Sequence, residues 1–176
     1  EYDPGRAELY LWRGLALHTE KKVEQAECDY SRALGLDTSH LPACGDLVKM
    51  PTDGLNSLTS EQEMQARTAL GWIKFGEKKD EIALNFFQTA ISAISAPASS
   101  PQPWIGLGNV YYRMEEFGEA AKAGEQALRL DEYNLAALIL TSSAHWKLGG
   151  LTEGAAICQH YEAAFKSLNV ATQVEG

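Results

Sequence analysis

Basic residues are scarce in this chain: 15 Lys and Arg face 24 Asp and Glu over 176 residues, a formal charge of -9. That balance excludes capture of a phosphate backbone by bulk electrostatics, so nucleic acid is not an expected partner. Long apolar runs are also missing. The longest, around Leu135 to Leu140, falls far short of the roughly 20 residues a membrane-spanning helix needs. No basic start is followed by an apolar stretch, so nothing reads as a signal peptide. The first residue is Glu1 and not Met, which reads as a processed or excised piece of a longer protein. Cysteine is sparse, odd in number and widely spaced (Cys28, Cys44, Cys158), and is expected as free thiols in a reducing, cytoplasmic setting. Strand patterning is absent: no segment alternates apolar and polar residues over six or more positions.

What is present is helical spacing. Val23, Ala26, Tyr30, Ala33 and Leu34 recur at steps of three and four, as do Ala83, Phe87, Ala90 and Ile91. Phe117, Ala120, Ala127 and Leu128 do the same, and each set lays its apolar residues along one helix face. The spacing predicts helices over 7–20, 23–36, 61–76, 80–95, 101–114, 117–130, 135–148 and 151–167, with a short one near 40–49. Ser60 with Glu63 reads as a capping box, Gly76 as a left-handed helix stop, and Ser100 before Pro101 as an N-cap. Gly149 and Gly150 are expected to end the helix begun after Asn134.

The C-terminal half repeats itself with a period of about 34 residues. Trp104, Leu107-Gly108 and Tyr111 are followed by Phe117, Ala120, Ala127 and Leu128. Near the N-terminus, Tyr10-Leu-Trp-Arg13-Gly14 through Leu17 precedes Val23, Ala26, Asp29-Tyr30 and Ala33-Leu34. Both stretches resemble the tetratricopeptide repeat, a pair of antiparallel helices. Gly124 departs from the pattern, which usually has a large residue there, and Thr141-Ser142 replaces the Leu-Gly pair in the last unit. The resemblance implies an all-α, right-handed superhelical solenoid of about four repeats with one irregular insertion. The expected divisions are the end of a preceding repeat or linker at 1–6 and a repeat at 7–40. An insertion with a short helix and the start of the next helix follows at 41–63. Further repeats are expected at 64–97 and 101–134, a degenerate one at 135–168, and a tail at 169–176. In the unit at 64–97, matching Leu70-Gly71 to the Leu-Gly pair would place Lys74 in the core. A register slid by one residue is preferred, because an unpaired buried lysine is costly.

Motifs for catalysis are missing: no phosphate-binding glycine loop, no HExxH and no GxSxG. His40 and Cys44 share a helix face, but two ligands make no zinc site, so no metal and no cofactor is expected. Cys158 and His145 read as packing residues, the histidine hydrogen-bonded in the interior. The resemblance implies instead a non-enzymatic protein-protein interaction module, with the first helix of each pair lining a concave groove. The residues projected there are Leu11, Trp12, Leu15, Phe75, Ile105, Asn109, Tyr112, Arg113, Ile139, Trp146 and Lys147. This is an apolar, aromatic surface for a peptide or helix, with Arg113 and Lys147 suited to an acidic or C-terminal group. Alternative readings are a structural or self-assembly segment of a larger scaffold and a chaperone-like holder of an unstructured client.

Overall fold

The computed structural model describes residues 7–46, 58–93, 100–151, 162–163 and 166. Among the described residues every regular element is an α-helix, eight in all. They fall into two compact units, Glu1–Ser95 and Ala96–Gly176.

The first unit holds α1 (Ala7–Thr19), α2 (Val23–Ala33), the short α3 (Ala43–Asp46), α4 (Ser60–Gly76) and α5 (Asp80–Ser92). The turns after α1 and α4 are built alike. Two residues before the next helix the backbone becomes left-handed, at Lys21 (φ 63°) and Lys78 (φ 60°). The Lys21 N–H donates to the His18 carbonyl at 3.0 Å and the Lys22 N–H to that of Leu17 at 2.9 Å. Lys78 and Lys79 repeat this on Phe75 and Lys74, both at 3.0 Å. These crossed bonds satisfy the last helical carbonyls and reverse the chain within three residues, so the paired helices run antiparallel. Gly76 is therefore the last helical residue and not the left-handed stop; Lys78 takes that conformation at a cost of about 1 kcal/mol.

Glycine placement sets the helix spacing. A Cβ on Gly14 would lie 2.9 Å from the Tyr30 ring, and one on Gly71 would lie 2.7 Å from Phe87. Gly71 thus occupies in α4 the place that Gly14 occupies in α1, which overturns the slid register. Lys74 is accordingly buried, at 9% exposure. It is not unpaired, because its Nζ lies 2.5 Å from Glu27 of α2 and 3.1 Å from Glu77. Burial alone would lower the Lys74 pKa; hydrogen bonds to the two carboxylates outweigh it and raise the pKa. Tyr10, Leu11, Leu17, Tyr30, Ala66, Leu70 and Ile73 form the core of this unit.

Two further expectations are corrected. The capping box of α4 uses Thr59 and Gln62: the Gln62 N–H donates to Thr59 Oγ1 at 3.2 Å, and the Thr59 N–H donates to Gln62 Oε1 at 3.0 Å. Glu63 is committed instead to Arg67 one turn on, at 2.6 Å. Cys28 and Cys44 are joined as a disulfide, with Cα atoms 5.5 Å apart. Wide spacing in sequence hid this pair, because α3 folds back onto α2 and brings them within bonding range. The bond also removes Cys44 from any pairing with His40.

The second unit holds α6 (Gln102–Arg113), α7 (Phe117–Leu130) and α8 (Leu135–Leu151). Ser100 Oγ accepts the Gln102 N–H at 3.3 Å ahead of α6. Glu115 (φ 64°) makes the same left-handed turn as Lys21 and Lys78. A Cβ on Gly108 would fall 2.5 Å from Leu140 and 3.2 Å from Ala123, so α6 approaches both α7 and α8 closely. Gly124 and Thr141, the two departures from the repeat pattern, meet: a Cβ on Gly124 would lie 2.2 Å from Thr141 Oγ1. The missing side chain at Gly124 leaves the room that Thr141, standing where the pattern has leucine, fills from the facing helix. α8 continues through Gly149 and Gly150 to Leu151 and does not end there. A glycine inside a helix costs about 1 kcal/mol, which weakens a helix without ending it. Residues 1–6, Cys158 and most of the helix expected at 151–167 lie outside the described residues.

Candidate functional site

Within the second unit, the 3.6-residue helical repeat brings Asn109 and Tyr112 of α6 beside Ala136, Ile139, Leu140 and Ser143 of α8. Together they line a cavity of about 330 Å³. Asn109 Nδ2 donates to the Ile105 carbonyl at 2.8 Å, which fixes the amide and leaves its oxygen for another donor. The Tyr112 ring meets Phe117 edge-on, with centroids 5.2 Å apart, and packs against the cluster of Ala120, Ala121 and Ala144. Tyr112 is thus a half-buried wall of the cavity, held by its neighbours. Ile139, Ser143 and Trp146 follow one stripe of α8 at steps of four and three. Ile139 is 53% and Trp146 64% exposed. Arg113 and Lys147 are exposed at the last turn of α6 and on α8. Ile105 is a core residue, 2% exposed, and not a groove residue. The structure therefore brings Asn109, Tyr112 and Ile139 to one cavity, with Trp146 on the same stripe, and takes Ile105 into the interior.

In the first unit Trp12 is exposed and Leu15 half-buried. Leu11 is fully buried, since Ala66 and Leu70 of α4 belong to the cluster that encloses it. Phe75 is half-buried and lies edge-on to Trp72 at 5.7 Å, and Trp72 in turn meets Phe87 at 5.3 Å. Leu11 is thereby corrected from groove residue to core.

Charged groups that pattern reading passed over are built into the same unit. Asp29 is fully buried and receives both Arg13 Nε and, at 2.7 Å, Arg13 Nη2. The Arg13 and Arg32 guanidinium groups both lie over the Tyr10 ring, 5.6 and 5.9 Å from its centroid. Burial, with Asp29 alongside, pushes the Tyr30 hydroxyl up to about 12. These contacts tie α1 to α2, and nothing in their geometry resembles a nucleophile with its base. His145 is largely buried, with Nε2 3.1 Å from Glu125 Oε1. Among the described residues no group of three or more His, Cys, Asp or Glu is arranged to hold a metal. No described helix is long and apolar enough to cross a membrane.

Comparison with known proteins agrees with this construction. The tetratricopeptide-repeat family description matches residues 7–40 and again residues 101–134. Among solved structures, one crystal structure of MamA superposes with a TM-score of 0.64 at 19% identity, covering 97% of this chain and 83% of that one. A second crystal structure of MamA gives 0.55 at 18% identity, covering 96% and 91%. No curated protein matches in sequence. The chain carries tetratricopeptide repeats at residues 7–40 and 101–134. It is accordingly an all-α repeat protein, built from the helix pairs that serve as protein-protein interaction modules.

Proposed function

We propose that the protein is a non-enzymatic adaptor that holds a peptide or helix of a partner protein against the α6/α8 face of its second unit. The observation that carries this reading is the apolar stripe on α8. Ile139 and Trp146 leave more than half of their surface in water beside an open cavity walled by Tyr112 and Asn109. Large exposed apolar residues next to a concavity are the usual mark of a binding surface. Tryptophan is also the residue type most enriched among binding hot spots. Arg113 and Lys147 supply positive charge at this face for an acidic side chain or a C-terminal carboxylate. Asn109 offers its amide oxygen to a backbone N–H. Trp12 and Leu15 extend the interaction set in the first unit.

The test is capture of partners from lysate by the wild type and by an Ile139→Ala/Trp146→Ala form, read by mass spectrometry. A partner held by the wild type and lost by a variant with unchanged melting supports the groove. Identical profiles remove it. Self-assembly draws on the same exposed stripe; a mass that grows with concentration in light scattering, and stops growing in the variant, would assign the groove to a second copy.

The compartment follows the disulfide. Buried bonds of this kind form and persist in oxidising surroundings, so Cys28–Cys44 favours such a compartment over the cytoplasm expected from cysteine number alone.

A further inference from the structure

A larger cavity, about 540 Å³, opens in the first unit between α2, α4, α5 and the segment leading into α3. It shares no residue with the groove positions named above. Its size falls within the range of sites that enclose side chains or small ligands. Its walls are apolar, with Leu36, Ile82 and Phe86 among them, and Leu36 and Ile82 remain 39% and 47% exposed. Lys74 lines the interior, but Glu27 and Glu77 already engage it, and Lys79 lies 2.8 Å from Glu77. The cavity therefore has no unengaged lysine to offer an anion. Two other lining carboxylates, Glu24 and Asp37, have no ion-pair partner among the described residues. The Asp37 carboxylate accepts the backbone N–H and the hydroxyl of Ser39, which keep its pKa below the ordinary value and the group ionised. His40 also lines the cavity near Asp37, but carboxylates outnumber the cations, so the lining combines bulky apolar surface with an excess of negative charge.

The wall on the α3 side is fixed in place. A helix of four residues has little stability alone. The Cys28–Cys44 bond and the Arg32 Nη2 hydrogen bond to the Cys44 carbonyl, 2.9 Å, hold it against α2. A preformed wall lowers the ordering cost of binding.

We propose that this cavity is a second docking site, taking a partner segment that places a bulky apolar side chain between lysines or arginines. The apolar side chain would lie against Leu36, Ile82 and Phe86, and the cations beside Glu24 and Asp37. The disulfide keeps the site in its receptive shape. This reading stands on residues separate from the α6/α8 groove, and either can fail without the other.

Fluorescence anisotropy with a fluorescein-labelled peptide, Gly-Ser-Lys-Leu-Phe-Lys-Ser-Gly, tests it on the full chain. Saturable one-to-one binding is expected, weakened by added salt. It should fall about tenfold in a Glu24→Gln/Asp37→Asn variant and comparably in Ile82→Ser, with unchanged circular dichroism. All three positions are exposed, so the folded state is expected to survive these changes. Trp146→Ala should bind as the wild type does, and reduction of the disulfide should weaken binding. The proposal is overturned if the peptide does not saturate, or if it binds equally with both lysines replaced by glutamate. It also falls if both variants keep full affinity, or if Trp146→Ala abolishes binding.

Discussion

Lys21, Lys78 and Glu115 hold left-handed backbone at equivalent places, each two residues ahead of the second helix of its pair. A side chain with a Cβ is strained in that conformation and glycine is not. Lys78→Gly and Glu115→Gly should therefore each raise the free energy of unfolding by about 1 kcal/mol, read from urea midpoints. Tyr30 yields a pH prediction. Its folded pKa is about 12 against an ordinary 10.0, so above pH 10 the unfolded chain releases the phenolic proton first. The contribution of Tyr30 is complete below pH 10 and lost as pH climbs toward 12. Tyr30→Phe should flatten the decline of the urea midpoint across that window; an identical decline in both proteins would place its origin elsewhere. At this scale the sequence was legible where one residue acts locally. Gly14 and Gly108 sit at close helix contacts, as their positions in the pattern imply. Lys74 was not legible, because the carboxylate that makes its burial tolerable belongs to the preceding helix pair.

Helices α2 and α4 are joined by that lysine across the boundary between repeats. Breaking a buried pair leaves a desolvated charge, whereas removing both partners does not. Lys74→Met should cost about 3 kcal/mol, and adding Glu27→Gln should restore a large part of it. Additive losses in a double-mutant cycle would show that the two groups are uncoupled. Helix number and order among the described residues were readable from period and punctuation. Boundaries were less so, for reasons visible in α4 and α8: two polar residues competed for the cap at Thr59 and Ser60, and Gly149-Gly150 stayed helical. The candidate site divided in the same way. Leu11 and Trp12 are neighbours on α1, yet one is fully buried and the other 56% exposed. Periodicity identifies a helix face, but which part of it is covered depends on how the next pair packs. Ile105 and Leu11 were lost from the groove for that reason, while Ile139 and Trp146 keep an open face.

For the molecule as a whole, the cysteines decide more than their number suggests. Three are present and two are bonded, so 3 − 2 leaves one thiol to react in the oxidised chain. Titration with a thiol reagent in denaturant should find one group before reduction and three after; three at the outset would return the protein to a reducing compartment. The fit of Gly124 to Thr141 has a consequence for how such an array can evolve. A repeat bringing the usual large residue to position 124 would drive that side chain into Thr141. These helices carry a lock and key cut for each other. Duplication or shuffling of single repeats, the ordinary way that such arrays lengthen, is disfavoured at this joint, and the pair is inherited together or not at all.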